Sequence, residues 1–316
     1  MRAPLIAIML RPQCAVCDCH VVSEKALRNS TVPVDRVLTA SYDSTSLVFA
    51  NHLTDISRRS LLLGAPASLL AAKPGAIRAG CQTSAWPVDP KDFDSLVGVL
   101  TTIKRLGFEG FETGFVNVRG QFAHAGAAYE RIRKTGLRFS GIHIALKTYD
   151  PQTAIASSGL LEQVADGGKE LGAERLIVSG GSTVHPLALR AKAEALGRIA
   201  KYCKGVGIGC AYHSQGYDYQ DGGAQINSLA SMTDPSVHFV VDAGANAADF
   251  LGKNWRRVDG VHLPLGQAES DWDALAKAIH ASQWRGWLVI AEERAPGEKQ
   301  GEAGPAREAL RRTFGV

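Results

Sequence analysis

The feature that most constrains this chain is an alternation that recurs eight times after about residue 78. Short apolar runs give way to a polar turn and then to an amphipathic segment. The runs are 79–84, 110–113, 139–144, 175–179, 209–213, 238–242, 260–263 and 287–291. Each is too short for a helix and too continuously apolar for a strand with one face in water, so each is expected to be a strand buried on both faces. Between them, 89–106, 123–134, 159–171, 186–203, 224–232, 247–255, 271–281 and 306–314 are expected to be helices. In the first of these, Phe93, Leu96, Val97, Leu100 and Ile103 share one face. Gly107, Gly136, Gly172 and Gly205 follow predicted helix ends.

Eight such units in roughly 240 residues have the size and rhythm of a closed (β/α)8 TIM barrel, an α/β fold forming a single domain over 78–316. An open doubly wound sheet is the competing arrangement. No Gly-x-Gly-x-x-Gly follows the first run, which argues against a dinucleotide-binding sheet.

Residues 1–77 read differently. Ser57-Arg58-Arg59-Ser60 precedes the apolar stretch Leu61–Ala72, which has the form of a twin-arginine export signal. A leader without sustained periodicity stands before it, and export to the periplasm is the expectation. Cys14, Cys17 and Cys19 lie in that leader with no second pair at zinc-finger spacing. Cys81, Cys203 and Cys210 fall on or beside predicted core elements and are expected to be small buried hydrophobes. A net charge of +4 without clustered Lys/Arg gives no nucleic-acid footprint. No apolar run reaches the ~18 residues of a membrane-spanning helix.

In a barrel of this kind chemistry collects where the strands end. The ends are Gln82 with Trp86 beyond it, Glu112, His143 with Lys147 beyond it, the stretch from Ser179 to His185, His213, Asp242, His262, and Glu292-Glu293. His213, Asp242, His262 and one of the two glutamates stand on four consecutive strands. Imidazole and carboxylate converging there can hold a divalent cation such as Mn2+, Zn2+, Co2+ or Mg2+. Gln215 and Asp218 follow His213 closely and add possible substrate contacts, as does the aromatic ring of Trp86.

Residues 78–316 resemble the sugar phosphate isomerase/epimerase family of xylose isomerase-like barrels. The resemblance rests on Gly80-Cys-Gln-Thr-Ser84, Gly107-Phe-Glu-Gly-Phe-Glu112, Gly136-Leu-Arg-Phe-Ser-Gly-Ile-His143, Ala211-Tyr-His-Ser-Gln215, Val240-Val-Asp-Ala-Gly244, Gly260-Val-His-Leu263 and Gly286-Trp-Leu-Val-Ile290, in that order. It implies isomerisation or epimerisation of a carbohydrate at a divalent metal. It implies a metal shell of His213, Asp242, His262 and Glu293 (or Glu292), with Glu112, His143 and Lys147 facing the substrate. Glu112, His143 and Glu293 are the expected catalytic groups.

The chain departs from the family pattern where Gln215 replaces a second His, Asp218 a Glu, Ala245 a His or Trp, and Pro264-Leu265 a Lys-Asp. These departures keep open a non-catalytic carbohydrate-binding barrel, in which Trp86, Tyr217, Tyr219 and Trp287 are the candidate stacking rings. A DNA-repair endonuclease of related fold ranks last, because its longer His and Glu ligand set is only partly present.

Overall fold

The computed structural model describes residues 76–183, 185–244, 246–265, 272–292 and 302–316. The leader, the twin-arginine stretch, Cys14, Cys17, Cys19, Ala245 and Glu293 lie outside them. Among the described residues no helix is long and apolar enough to cross a membrane.

The eight strands are β1 (Arg78–Gln82), β2 (Gly110–Gly114), β3 (Arg138–Ile144), β4 (Arg175–Ser179), β5 (Gly209–His213), β6 (Val237–Asp242), β7 (Val258–Pro264) and β8 (Trp287–Ala291). They pair in sequence order, and β8 closes on β1. Every pairing is parallel. The helices are α1 (Phe93–Arg105), α2 (Ala125–Lys134), α3 (Ser158–Glu170), α4 (Pro186–Val206), α5 (Gln220–Met232), α6 (Ala247–Asn254), α7 (Asp273–Ser282) and α8 (Ala303–Phe314). This is the closed (β/α)8 barrel expected from the alternation, and the open sheet is excluded.

The predicted boundaries shift for local reasons. Helix α1 starts at Phe93 because the Asp92 side chain accepts the Asp94 N–H, so the N-cap falls beyond the Asp89-Pro90 pair. Helix α4 runs through Gly205 and ends at Gly207, whose φ of 85° is the left-handed conformation that a C-terminal glycine supplies. Strand β1 stops at Gln82, and Thr83–Ala85 form a 3-10 turn.

Side chains alternate along each strand. Outward-facing Cys81, Phe111, Phe139, Leu176, Val178, Cys210, Tyr212, Phe239, Val241, Leu263 and Ile290 join the helix faces in one large core. Cys81, Cys203 and Cys210 are buried free thiols, as expected. Inward-facing Ile177, Ala211 and Val240 form a second, small cluster inside the barrel. Two residues beyond each of these stand Ser179, His213 and Asp242, so the alternation that fills the barrel with methyl groups places polar groups at its C-terminal mouth.

Glycines make room for this filling. A Cβ on Gly110 would lie 2.4 Å from Cη2 of Trp287 and 3.0 Å from the Arg138 carbonyl oxygen. Trp287 begins β8, so it plugs the end opposite the mouth and has no place in a sugar-stacking surface. Gly110→Ala is expected to cost ~1–3 kcal/mol through overpacking. Chemical denaturation checks this, and an unchanged stability would contradict the packing described.

Candidate metal centre at the barrel mouth

His213 ends β5, Asp242 ends β6, and His262 lies beside Asp242 in the β6–β7 register. Three of their atoms converge. His213 Nε2 is 2.7 Å from Asp242 Oδ1, His262 Nδ1 is 3.1 Å from His213 Nε2, and His262 Nδ1 is 3.5 Å from Asp242 Oδ1. Ligands of one cation stand about this far apart. With bonds of ~2.1 Å, neighbouring donors are ~3.0 Å apart at right angles and ~3.4 Å at tetrahedral angles. Two imidazoles and a carboxylate on one triangular face also suit Zn2+, Mn2+ and Co2+ chemically. The three residues therefore fit a divalent cation, and they are the group among the described residues able to hold one.

The groups behind this triangle fix its orientation. Glu112 has no solvent exposure, and its Oε2 lies 2.8 Å from His262 Nε2. An ionised carboxylate only accepts, so His262 must carry a proton on Nε2, and in the neutral ring Nδ1 is then the free lone pair facing the site. Gln82 Nε2 also donates to Glu112 Oε2 at 3.4 Å. On the other side of Glu112, Oε1 lies 3.9 Å from Arg175 Nη2. Arg175 begins β4 and reaches up the inside of the barrel, with Nη1 donating to the Asp259 carbonyl at 3.1 Å.

His213 Nδ1 faces the Gln215 side-chain amide at 2.9 Å and Ser179 Oγ at 3.2 Å. A carboxamide presents an acceptor or a donor according to which way it is turned, and a hydroxyl does both. In the metal-free protein the same rule, that an ionised carboxylate only accepts, puts a proton on His213 Nε2, facing Asp242 Oδ1. When a cation takes Nε2, the proton can sit on Nδ1, where Ser179 Oγ or a turned Gln215 amide accepts it.

The electrostatics follow from this packing. Burial pushes the Glu112 carboxyl up, but the charge and hydrogen bond of His262, with Arg175 and His143, more than offset it and hold the group down at about 2. Burial pushes His262 down, yet Glu112 and Asp242 raise it to about 9. Burial likewise opposes ionisation of Asp242, but His213 and His262 keep its carboxyl well below the usual carboxylate range. His143 is lowered to about 3 by burial and by the neighbouring His213 and His262.

A cavity of about 490 Å³ opens over the triangle, lined by Gln82, His143, Tyr149, Gln215 and Glu292 besides His213, Asp242 and His262. That volume is in the range of small-molecule sites. His143 Nε2 bonds Ser179 Oγ at 2.8 Å. Glu292 is buried just past the end of β8, with its backbone N–H 3.4 Å from Ser84 Oγ.

The other sequence-predicted site residues stand elsewhere. Glu112 lies beneath the triangle, with Oε2 held by His262 and Gln82 and Oε1 3.9 Å from Arg175 Nη2; it lines a smaller neighbouring cavity with Gln82 and His143 rather than the one over the triangle. Asp218 is fully buried behind β5, accepting hydrogen bonds from Tyr212 Oη at 2.9 Å and Gln215 N at 2.8 Å. Trp86 is buried in the core between strands and helices. Lys147 is exposed in the loop after β3 and does not line the cavity. Sequence reasoning passed over Ser179 as a partner of two histidines, although it sits at the end of an inward-facing row. It also passed over Arg175, which no strand-end pattern marks.

The fold and the mouth together define a class: closed (β/α)8 barrels with a polar site at the carboxyl ends of their strands. Solved structures match the fold of this chain. A sugar phosphate isomerase/epimerase from Parabacteroides distasonis ATCC 8503 is 16% identical, covers 80% of this chain and 98% of its own, and has a TM-score of 0.58. An L-ribulose 3-epimerase is 16% identical over 76% of this chain and 95% of its own, with a TM-score of 0.64. An IOLI protein with a binding zinc atom is 10% identical over 76% of this chain and 100% of its own, with a TM-score of 0.57. No protein-family model matches the sequence, and no curated protein matches it.

Proposed function

We propose that this barrel binds a divalent cation through His213, Asp242 and His262 and isomerises or epimerises a sugar or keto-sugar at the mouth. The observation that carries the reading is the 2.7–3.5 Å triangle of donor atoms, backed by Glu112 on His262 and by Gln215 and Ser179 on His213.

A bound cation supplies polarisation of a carbonyl and an adjacent hydroxyl. The chain supplies the rest. Asp242 and the two imidazoles orient the substrate oxygens. Gln82, Gln215 and Tyr149 offer hydrogen bonds to further hydroxyls. Moving a proton at the carbon beside the carbonyl requires ionisable groups in contact with the substrate. Besides the triangle, the ionisable side chains among the described residues lining the mouth are His143, Tyr149 and Glu292. We assign the proton-moving role to His143 and to Glu292 or its neighbour Glu293. The four-ligand shell is this triangle completed by one of the same two glutamates.

A second reading has an observation in its favour. Glu112, the carboxylate expected to face substrate, is withdrawn beneath His262 and leaves fewer proton-moving groups in the mouth. In that reading the barrel binds a carbohydrate without turning it over.

The two separate experimentally. Chelator-stripped protein is titrated with Mn2+, Zn2+, Co2+ and Mg2+, then incubated with D-fructose or L-ribulose in D2O. The proposal expects cation binding at a ratio of one and cation-dependent deuterium uptake beside the carbonyl, read by NMR. Sugar binding indifferent to chelator, with no deuterium uptake from any keto-sugar, would establish the non-catalytic reading instead.

A further inference from the structure

Lys192 has no role in the mouth, yet its side chain is fully buried. It stands on the inner face of α4, among Leu189, Ala193 and Leu196, where an apolar residue is the ordinary choice. Its Nζ donates to the Gly181 carbonyl at 2.6 Å and to Tyr212 Oη at 3.2 Å, and lies 5.1 Å from the centre of the Tyr212 ring. Tyr212 Oη in turn donates to Asp218 Oδ2 at 2.9 Å. The same oxygen accepts the Gln215 backbone N–H at 2.8 Å, while Gln225 Nε2 reaches Asp218 Oδ1 at 3.2 Å and Thr183 Oγ1 at 2.8 Å.

A chain of bonds therefore runs from α4 to the centre: Lys192, Tyr212, Asp218, the Gln215 backbone, and the Gln215 amide on His213 Nδ1 at 2.9 Å. Burial works against both charges, pushing the Lys192 ammonium below its usual range and the Asp218 carboxyl above its own. Stability alone does not explain such a network, since a buried ionic group can often be replaced by a well-packed apolar one at no loss. What the network fixes is the position of two loop segments, at Gly181 and at Gln215–Asp218. They flank the side of His213 that faces away from the triangle. Tyr217 adds a bond between them, its Oη donating to the Gly180 carbonyl.

We propose that Lys192 and Asp218 are positioning residues that hold the Gln215 amide against His213 Nδ1 and thereby present Nε2 to the cation. The inference rests on the metal reading above and adds to it a buried support that lies outside the cavity. Partners that orient a ligating imidazole typically account for ~10–100-fold in metal affinity.

The test uses the full chain with Lys192→Met, Asp218→Asn and Gln215→Ala, titrated with Zn2+ by calorimetry after circular dichroism confirms folding. Each variant is expected to weaken binding by ~10–100-fold. Lys192→Met combined with Gln215→Ala is expected to bind no more weakly than Gln215→Ala alone, because both act through one contact. A second arm reads the imidazole 15N shifts of His213 in metal-free protein, which report where its proton sits. Lys192→Met is expected to change them, and Asp218→Asn serves if Lys192→Met does not fold. Folded variants with unchanged affinity and unchanged 15N shifts, or losses that simply add in the double variant, would overturn the inference. If the wild type binds no Zn2+, the metal reading fails, and the 15N arm still decides whether Lys192 positions His213.

Discussion

Asp242→Ala is expected to remove cation binding in the range where the wild type saturates, a loss well beyond the ~10–100-fold that an outer partner costs. Asp242 supplies the one carboxylate of the triangle, and its Oδ1 is the atom nearest to His213 Nε2, at 2.7 Å. Without it two imidazoles face each other at 3.1 Å with no anion between them. Asp242→Asn keeps the shape but not the charge and is expected to fall between the two. The wild-type titration also carries a pH signature. In the metal-free protein His262 is raised to about 9, so at neutral pH it holds a second proton where the cation must sit. Binding must displace that proton. The apparent affinity is therefore expected to fall as the pH is lowered below about 9, and calorimetry in buffers of different ionisation heat should show proton release. Equal affinity for Asp242→Ala and wild type would contradict the role given to this carboxylate.

Glu112→Ala is expected to produce the largest change in stability. Removing one member of a buried charge group leaves its partners uncompensated, here His262 and Arg175, and costs ~3–5 kcal/mol. For a domain of this size that corresponds to a fall in Tm of roughly 6–20 °C. Glu112→Gln retains an acceptor for His262 Nε2 and is expected to lose less. The pH dependence has a definite sign. Glu112 is lowered from 4.5 to about 2, so its contribution is present above pH 4.5 and lost as the pH falls toward 2. His262 is raised from 6.5 to about 9, so its contribution is present below pH 6.5 and lost as the pH rises through 9. In metal-free protein the gap between wild type and Glu112→Gln is therefore widest between pH 4.5 and 6.5, and denaturation across pH measures it. A gap that widens above pH 9 would contradict the pairing.

Much of this architecture was legible in the sequence, for physical reasons. A strand buried on both faces is a short continuous apolar run, so β1 to β8 announce themselves. Polar residues closing such runs lie at one rim, which is why His213, Asp242 and His262 could be placed together before any coordinates. Glu112 was legible as a strand-end carboxylate, but not as one turned inward beneath His262, because the stagger between strands sets which layer of the barrel a residue occupies. Arg175 and Trp287 begin their strands, so reading strand ends gives no sign that they fill the barrel from the opposite side. Asp218 follows His213 closely in sequence, but the 3-10 turn at Gly216–Tyr219 directs it behind β5. Lys192 left a trace that went unread, as a lone charge within the apolar face of α4.

Crystals grown with Mn2+ or Zn2+ and measured at the metal's absorption edge test the central claim most directly. The account predicts one anomalous peak at the C-terminal mouth, within bonding distance of His213 Nε2, Asp242 Oδ1 and His262 Nδ1 together. Bound metal located only elsewhere, or a mouth without a peak in protein shown to be saturated with the cation, would contradict it.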